Sequence, residues 1–323
     1  MSERKNHMNT IGTKIDEVRI DGCMESFKQD LERIRRMGIK AVELPVHGLD
    51  AILNGMLIEP RMAKILNLLK EYEFSYSVHA PNPLNLMDKK QPELHSDVFL
   101  ASLEFTRRIG AKILVYHPGR FIPEEEFNIF PLRSLSAKEK EFLMDREAVL
   151  LESVARQYPD ITIAMENARP YISQSPYTYA ESIEELKKQV NRINRDNIRI
   201  NLDIGHLHMT SQYYGYDILS SVSFIKSLIS HTHIHDNFGG AVHHYEKQQT
   251  HQLPFGRGDS HMPVGLGNIP VKGILEILLP EYTGLLMMEL RSRYFHRIKA
   301  SKEELEEIQK ELGEINAAST PIA

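Results

Sequence analysis

Histidine is over-used in this chain. Ten of its fifteen histidines fall after position 200, and several sit beside carboxylates. The densest group is Ile198-Arg-Ile-Asn-Leu-Asp-Ile-Gly-His-Leu-His208, in which a short alternating stretch ends in Asp203, Gly205, His206 and His208. The same event, an apolar run ending in a metal-capable side chain, recurs at His79, His117, Glu166, His233 with His235, and Glu289. An acid or imidazole at the end of a strand is a rigidly presented ligand. Two glutamates, an aspartate and a histidine form an oxygen-rich donor set that suits Mn²⁺, Mg²⁺ or Co²⁺, with Zn²⁺ admitted by the imidazole. His79 and His117 beside Glu166 leave room for a second, more zinc-like ion. A single terminal glutamate or histidine is more often a solvated loop residue; the weight here comes from six successive strand ends.

Those ends require strands to carry them. Alternation predicts strands at Thr10–Ile15, Ala41–Val46, Phe74–Val78, Ile113–Tyr116, Ile161–Met165, Ile198–Leu202, His231–His235 and Leu285–Met288. Helical patterns separate them: Met24–Met37 closed by Gly38, a run opened by Pro60, a helix capped by Ser96, and helices opened by Ser136/Glu139, Ser182/Glu185 and Ser301/Glu304 capping boxes. A further helix is predicted over Tyr214–Ile229, and Gly205 is read as a sharp turn after the sixth strand. Strand and helix alternating eight times predicts an α/β protein, a closed (β/α)8 TIM barrel in a single domain over 1–323, with a loose tip at 1–9 and tail at 317–323. An open doubly wound sheet fits less well, because no Gly-x-Gly-x-x-Gly follows the first strand. Residues 237–269 form an unusually long connection, read as a binding loop or lid.

Bulk composition narrows the partners. A hydrophobic share of 41% and a charged share of 26% provide an ordinary soluble core. The net charge of −5 gives no general attraction to polyanions, so nucleic acid is an unlikely partner. Lone Cys23 excludes an intrachain disulfide and, with no apolar run of about 18 residues, points to the cytoplasm rather than a membrane. A homo-oligomer is left open.

His231, His233 and His235 share one strand face, so their roles separate by depth: His231 is read as a buried structural histidine, and His235 as a neighbour of substrate. For His206 substrate contact is favoured over ligation. Together, His79-Ala-Pro followed by Asn85-Leu86, His117-Pro-Gly, Glu166-Asn167, Asp203-Ile-Gly-His206, His233-Ile-His235-Asp236 and the late Glu289 resemble the xylose isomerase-like barrel superfamily, over residues 40–291. That superfamily includes sugar isomerases and epimerases, inosose dehydratases and endonuclease IV. The resemblance implies a metal held by Glu166, Asp203, His233 and Glu289. In the epimerase branch the two glutamates also move protons. In the endonuclease branch, positions matching His79, His117 and Glu166 hold a further zinc, and a third uses the match to His206 with an Asp-x-His that precedes a Gly-x-Gly. Registered on Gly256-Arg-Gly258, that pair falls on Thr250 and Gln252, which would leave a trinuclear phosphodiesterase site incomplete.

The expected activity is therefore metal-dependent isomerisation or epimerisation of a sugar, sugar phosphate or keto-polyol through an enediolate, with Glu166 and Glu289 as the proton-moving pair. His206, His235 and Arg291 are expected to bind substrate hydroxyls or a phosphate. The alternatives are an endonuclease IV-like phosphodiesterase and a keto-inositol dehydratase.

Overall fold

The computed structural model describes residues 8–129, 135–247 and 250–318; the extreme tip, Pro131 and the last residues of the expected tail lie outside them. Eight parallel strands close into a barrel: β1 (Ile11–Lys14), β2 (Ala41–Pro45), β3 (Ser75–His79), β4 (Ile113–Tyr116), β5 (Thr162–Glu166), β6 (Ile198–Asp203), β7 (Ile229–Ile234) and β8 (Leu286–Met288). Each strand pairs with its sequence neighbours, and β1 pairs with both β2 and β8 to complete the ring. A two-stranded antiparallel hairpin, Ile52–Leu53 with Met56–Leu57, lies outside the barrel and has no counterpart in the sequence reading.

Strand alternation divides the buried residues into two chemistries. Val42, Leu44, Val78, Leu114, Ile163, Met165, Ile200, Leu202 and Ile234 join the apolar core with helix residues such as Phe27, Leu31, Phe99, Leu151 and Leu186. Residues of the opposite parity include Glu43, Ser77, Asn201, His231 and His233, all fully buried. The apolar residues that betray the strands thus belong to the core shared with the helices, while much of the opposite face is polar and hydrogen-bonded.

Several helix starts differ from expectation for identifiable reasons. The helix expected to begin at Ser96 runs over Pro92–Arg108, because Pro92 suits the first turn and Asp88 accepts the N–H groups of Lys90 and Gln91. The Ser136/Glu139 capping box forms in full, whereas Ser182 caps Glu185 N–H from one side only. Ser301 lies inside the last helix, Ile298–Ala318, where its hydroxyl accepts from Val264 N–H instead of capping. That helix continues beyond the expected start of the loose tail, and Asn9, assigned to the loose tip, is anchored through its amide to the carbonyls of Tyr282 and Gly284.

The largest local difference follows β6. No turn intervenes: Asp203 is the N-cap of a helix over Ile204–Tyr214, accepting from His206 N–H at 2.7 Å, and a second helix covers Ile218–Ile225. Gly205 is helical, and its small size matters for another reason. A Cβ there would lie 2.0 Å from the His235 ring.

The long connection is fastened at its base by Asp236. Its carboxylate accepts backbone N–H groups from Asn237, Gly265, Gly267 and Ile269, and Asp236 also pairs with Met262 through two backbone hydrogen bonds. Gly267 is needed at this clasp, because a Cβ would meet Asp236 Oδ1 at 2.3 Å. No helix among the described residues is long and apolar enough to cross a membrane.

Candidate metal centre

The strand ends converge on His233. Its Nε2 lies 2.8 Å from Glu43 Oε1, so that nitrogen carries a proton and donates it, while Nδ1 faces the mouth. Around Nδ1 stand Glu289 Oε2 at 2.8 Å, Glu166 Oε2 at 3.2 Å and Asp203 Oδ2 at 3.9 Å. Burial opposes charge on this ring, but Glu289, Glu43 and Glu166 outweigh it and hold its pKa well above the ordinary imidazole range. One imidazole nitrogen encircled by three carboxylates is a donor set that a divalent cation, or a proton in its place, would neutralise.

Glu43 was missed by reading strand ends, because it lies in the middle of β2. It is fully buried and accepts from Ser77 Oγ, His231 Nε2 and His233 Nε2, each at 2.8 Å. A carboxylate on the far side of a ligating imidazole fixes its tautomer and orientation. Glu43→Gln should therefore weaken divalent-ion affinity by about 10- to 100-fold, read by competition with a metal indicator. Wild-type affinity in that variant would remove Glu43 from the centre. His231 is the structural histidine expected of it.

A second cluster lies beside the first. His79 Nδ1 donates to the Ala80 carbonyl at 2.7 Å, which leaves the Nε2 lone pair facing Glu166 Oε2 at 3.8 Å. His117 Nε2 lies 3.4 Å from Glu166 Oε1. Burial, with Lys14 and His117 adding to it, lowers the His79 pKa to about 3, and burial also lowers that of His117. Neutral imidazole lone pairs directed at a carboxylate fit a cation between them. Donor atoms of His79, His117 and Glu166, and likewise of Glu166, Asp203 and His233, lie within 4.8 Å of one another. Glu166 therefore belongs to both clusters.

The third cluster corrects the sequence register. Thr250 and Gln252 are not its members. Asp259 and His261 meet His206, with Asp259 Oδ2 at 2.8 Å from His261 Nε2 and 3.1 Å from His206 Nε2. The relevant glycines are Gly265 and Gly267 of the Asp236 clasp, so the Asp-x-His pair is Asp259-Ser-His261. Counting from Gly256-Arg-Gly258 placed it nine residues too early.

Other expected site residues take distinct places. His206 and Arg291 line the mouth. Arg291 donates to the carbonyls of Lys247 and Asp259, holding the long connection against β8. His235 is fully buried, stacks on His261 with ring centroids 4.0 Å apart, and reaches Asp203 Oδ1 at 3.1 Å. Its place is behind Asp203 rather than against substrate. Lys14, at the end of β1, was also missed; it pairs with Glu289 Oε1 at 2.8 Å. Burial works against both charges, yet the pair keeps Lys14 protonated and Glu289 ionised well below the usual carboxylate range. The mouth encloses about 350 Å³, and Lys14, Arg120, Arg169, Lys247, Arg291 and Arg293 contribute cationic groups to its wall.

Fold and site together define a (β/α)8 barrel whose strand ends gather clustered metal-capable side chains. The chain belongs to the xylose isomerase-like TIM barrel family, whose model matches residues 31–311. Among curated relatives, a probable endonuclease 4 of Metamycoplasma arthritidis is 27% identical over 157 residues, and the match covers 49% of this chain and 49% of that protein. The chain thus matches about half the length of that relative. A solved D-tagatose 3-epimerase-like protein superposes with a TM-score of 0.68 at 22% identity, covering 93% of this chain and 99% of that one. A xylose isomerase-like barrel protein from Mycobacterium smegmatis, solved in complex with magnesium, gives 0.65 at 13% identity, covering 95% and 99%.

Proposed function

We propose that the protein is a divalent-metal-dependent isomerase or epimerase of a small sugar, sugar phosphate or keto-polyol. The observation that carries this reading is the meeting of Glu166, Asp203 and Glu289 on His233 Nδ1, at the mouth of a pocket of about 350 Å³, within the usual range for small-molecule sites. Glu166, Asp203, His233 and Glu289 would hold the ion, which when bound supplies Lewis acidity toward a substrate carbonyl and its neighbouring hydroxyl. Acidifying the adjacent C–H lets a carboxylate remove the proton. Its return to the same carbon gives epimerisation, and its return to the neighbouring carbon gives isomerisation.

The two glutamates are not equivalent in this scheme. Lys14 holds Glu289 Oε1, which orients that carboxylate and weakens it as a base. Glu166 is free of lysine but accepts from Asn201 at 2.9 Å. Glu289→Gln is expected to lower kcat by at least about 100-fold with the fold intact, the scale of a lost acid–base group. Turnover of ketoses and keto-inositols in D2O tests the reaction directly. Deuterium should enter substrate or product at the labile carbon, and its absence during turnover would exclude proton exchange with solvent.

The third cluster favours a second reading, metal-dependent hydrolysis of a phosphoester by an activated water, because His206, Asp259 and His261 extend the ligand set beyond what proton transfer requires. Release of p-nitrophenol from bis(p-nitrophenyl) phosphate, with no deuterium uptake into ketoses, would select it.

A further inference from the structure

Asp259 Oδ2 and His206 Nε2 lie 3.1 Å apart, and a guanidinium stands against both. Arg169 Nη1 is 2.7 Å from His206 Nε2 and 3.1 Å from Asp259 Oδ2. The tautomer of His206 follows from its other nitrogen, which donates to the Asn167 carbonyl at 2.9 Å. The guanidinium pairs with Asp259 and stands against His206 Nε2, the two donor atoms a metal ion would need in this cluster.

Arg169 is also held in place. Its backbone carbonyl accepts from Tyr177 OH at 3.1 Å, and its guanidinium carbon lies 5.4 Å from the Tyr171 ring centroid. It follows Glu166 by three residues, on the loop leaving β5. Its Nε–H is buried without an acceptor among the described residues, while the side chain lines the mouth.

We infer that Arg169 takes the place of a metal ion in the His206–Asp259–His261 cluster, so that the chain carries one ion fewer than its three ligand clusters would allow. A divalent ion entering this cluster must displace a fixed positive charge and meets like-charge repulsion where the other clusters offer attraction. The inference rests on the metal-centre reading above. It turns the third cluster from catalytic machinery for hydrolysis into a positively charged part of the mouth wall.

The test is metal counting. Wild type, Arg169→Met and Arg169→Lys are each saturated with zinc, freed of excess ion and counted by plasma mass spectrometry, with circular dichroism confirming the fold. Arg169→Met is expected to hold one more ion per chain than wild type, and Arg169→Lys, which keeps the cation, the wild-type number. If Arg169→Met does not fold, Arg169→Gln takes its place. Wild type filling all three clusters, or a neutral variant gaining no ion, would overturn the inference. Failure of the metal-centre reading is a separate result: wild type would bind no ion at all.

Discussion

Glu166→Gln is expected to lower kcat/KM by at least about 1,000-fold, roughly 4 kcal/mol of transition-state stabilisation. Both carboxylate oxygens are in use. Oε1 lies near His117 Nε2 and 3.2 Å from His206 Nδ1, while Oε2 accepts from Asn201 and faces His79 and His233. Glutamine keeps the shape but replaces one donor oxygen with an N–H₂ group and removes the charge that two clusters share. Metal content should fall at both clusters, not one, and this separates a shared ligand from a carboxylate that only moves protons. A variant retaining its ions and wild-type turnover would contradict the shared role.

Stripping the protein of divalent ions should lower its melting temperature by roughly 6 °C. An ion present at a thousand times its dissociation constant stabilises the fold by about 4 kcal/mol, and a chain of 323 residues shifts by about 1.5 °C per kcal/mol. Loss of the ion leaves buried Glu166 and Asp203 and half-buried Glu289 together, with Lys14 against Glu289 and imidazoles of His233 and His235 against the others. Chelation should also abolish turnover. The ion among Mn²⁺, Mg²⁺, Co²⁺ and Zn²⁺ that restores both melting and rate identifies the working metal. An unchanged melting curve and rate after chelation, with metal removal verified, would remove the centre from the account.

The strand ends were legible because apolar alternation stops abruptly where a strand leaves the core, so Glu166 and Asp203 announce themselves as acids directly after Met165 and Leu202. Glu43 carries the opposite signal. An acid inside Ala-Val-Glu-Leu-Pro cannot be solvated if the strand is buried on both faces, and it requires partners from other strands. His231 and His233 are those partners, nearly two hundred residues away, and sequence spacing cannot reveal such a pair. Lys14 was hidden similarly, at the end of a strand recognised only by its apolar neighbours. Asp259 and His261 were obscured by a local ambiguity: two Gly-x-Gly segments lie within a dozen residues. The structure distinguishes them because Gly265 and Gly267 give their N–H groups to Asp236, whereas Gly240 pairs with both Gly256 and Gly258 along the connection. Arg169 gave no periodic signal, and its role depends on where the loop after β5 turns its side chain.

The Asp236 clasp makes the long connection mechanically two things. Beyond it, the stretch carrying Asp259 and His261 is tethered to the barrel rim, so their reach toward His206 is inherited from the scaffold. The outer excursion that begins after Gly240 is closed at its base by the Gly240–Arg257 bridge. Length changes there add only a slowly growing closure entropy. Evolution can therefore rewrite the tip, and with it the substrates admitted, without retuning the ligands beneath.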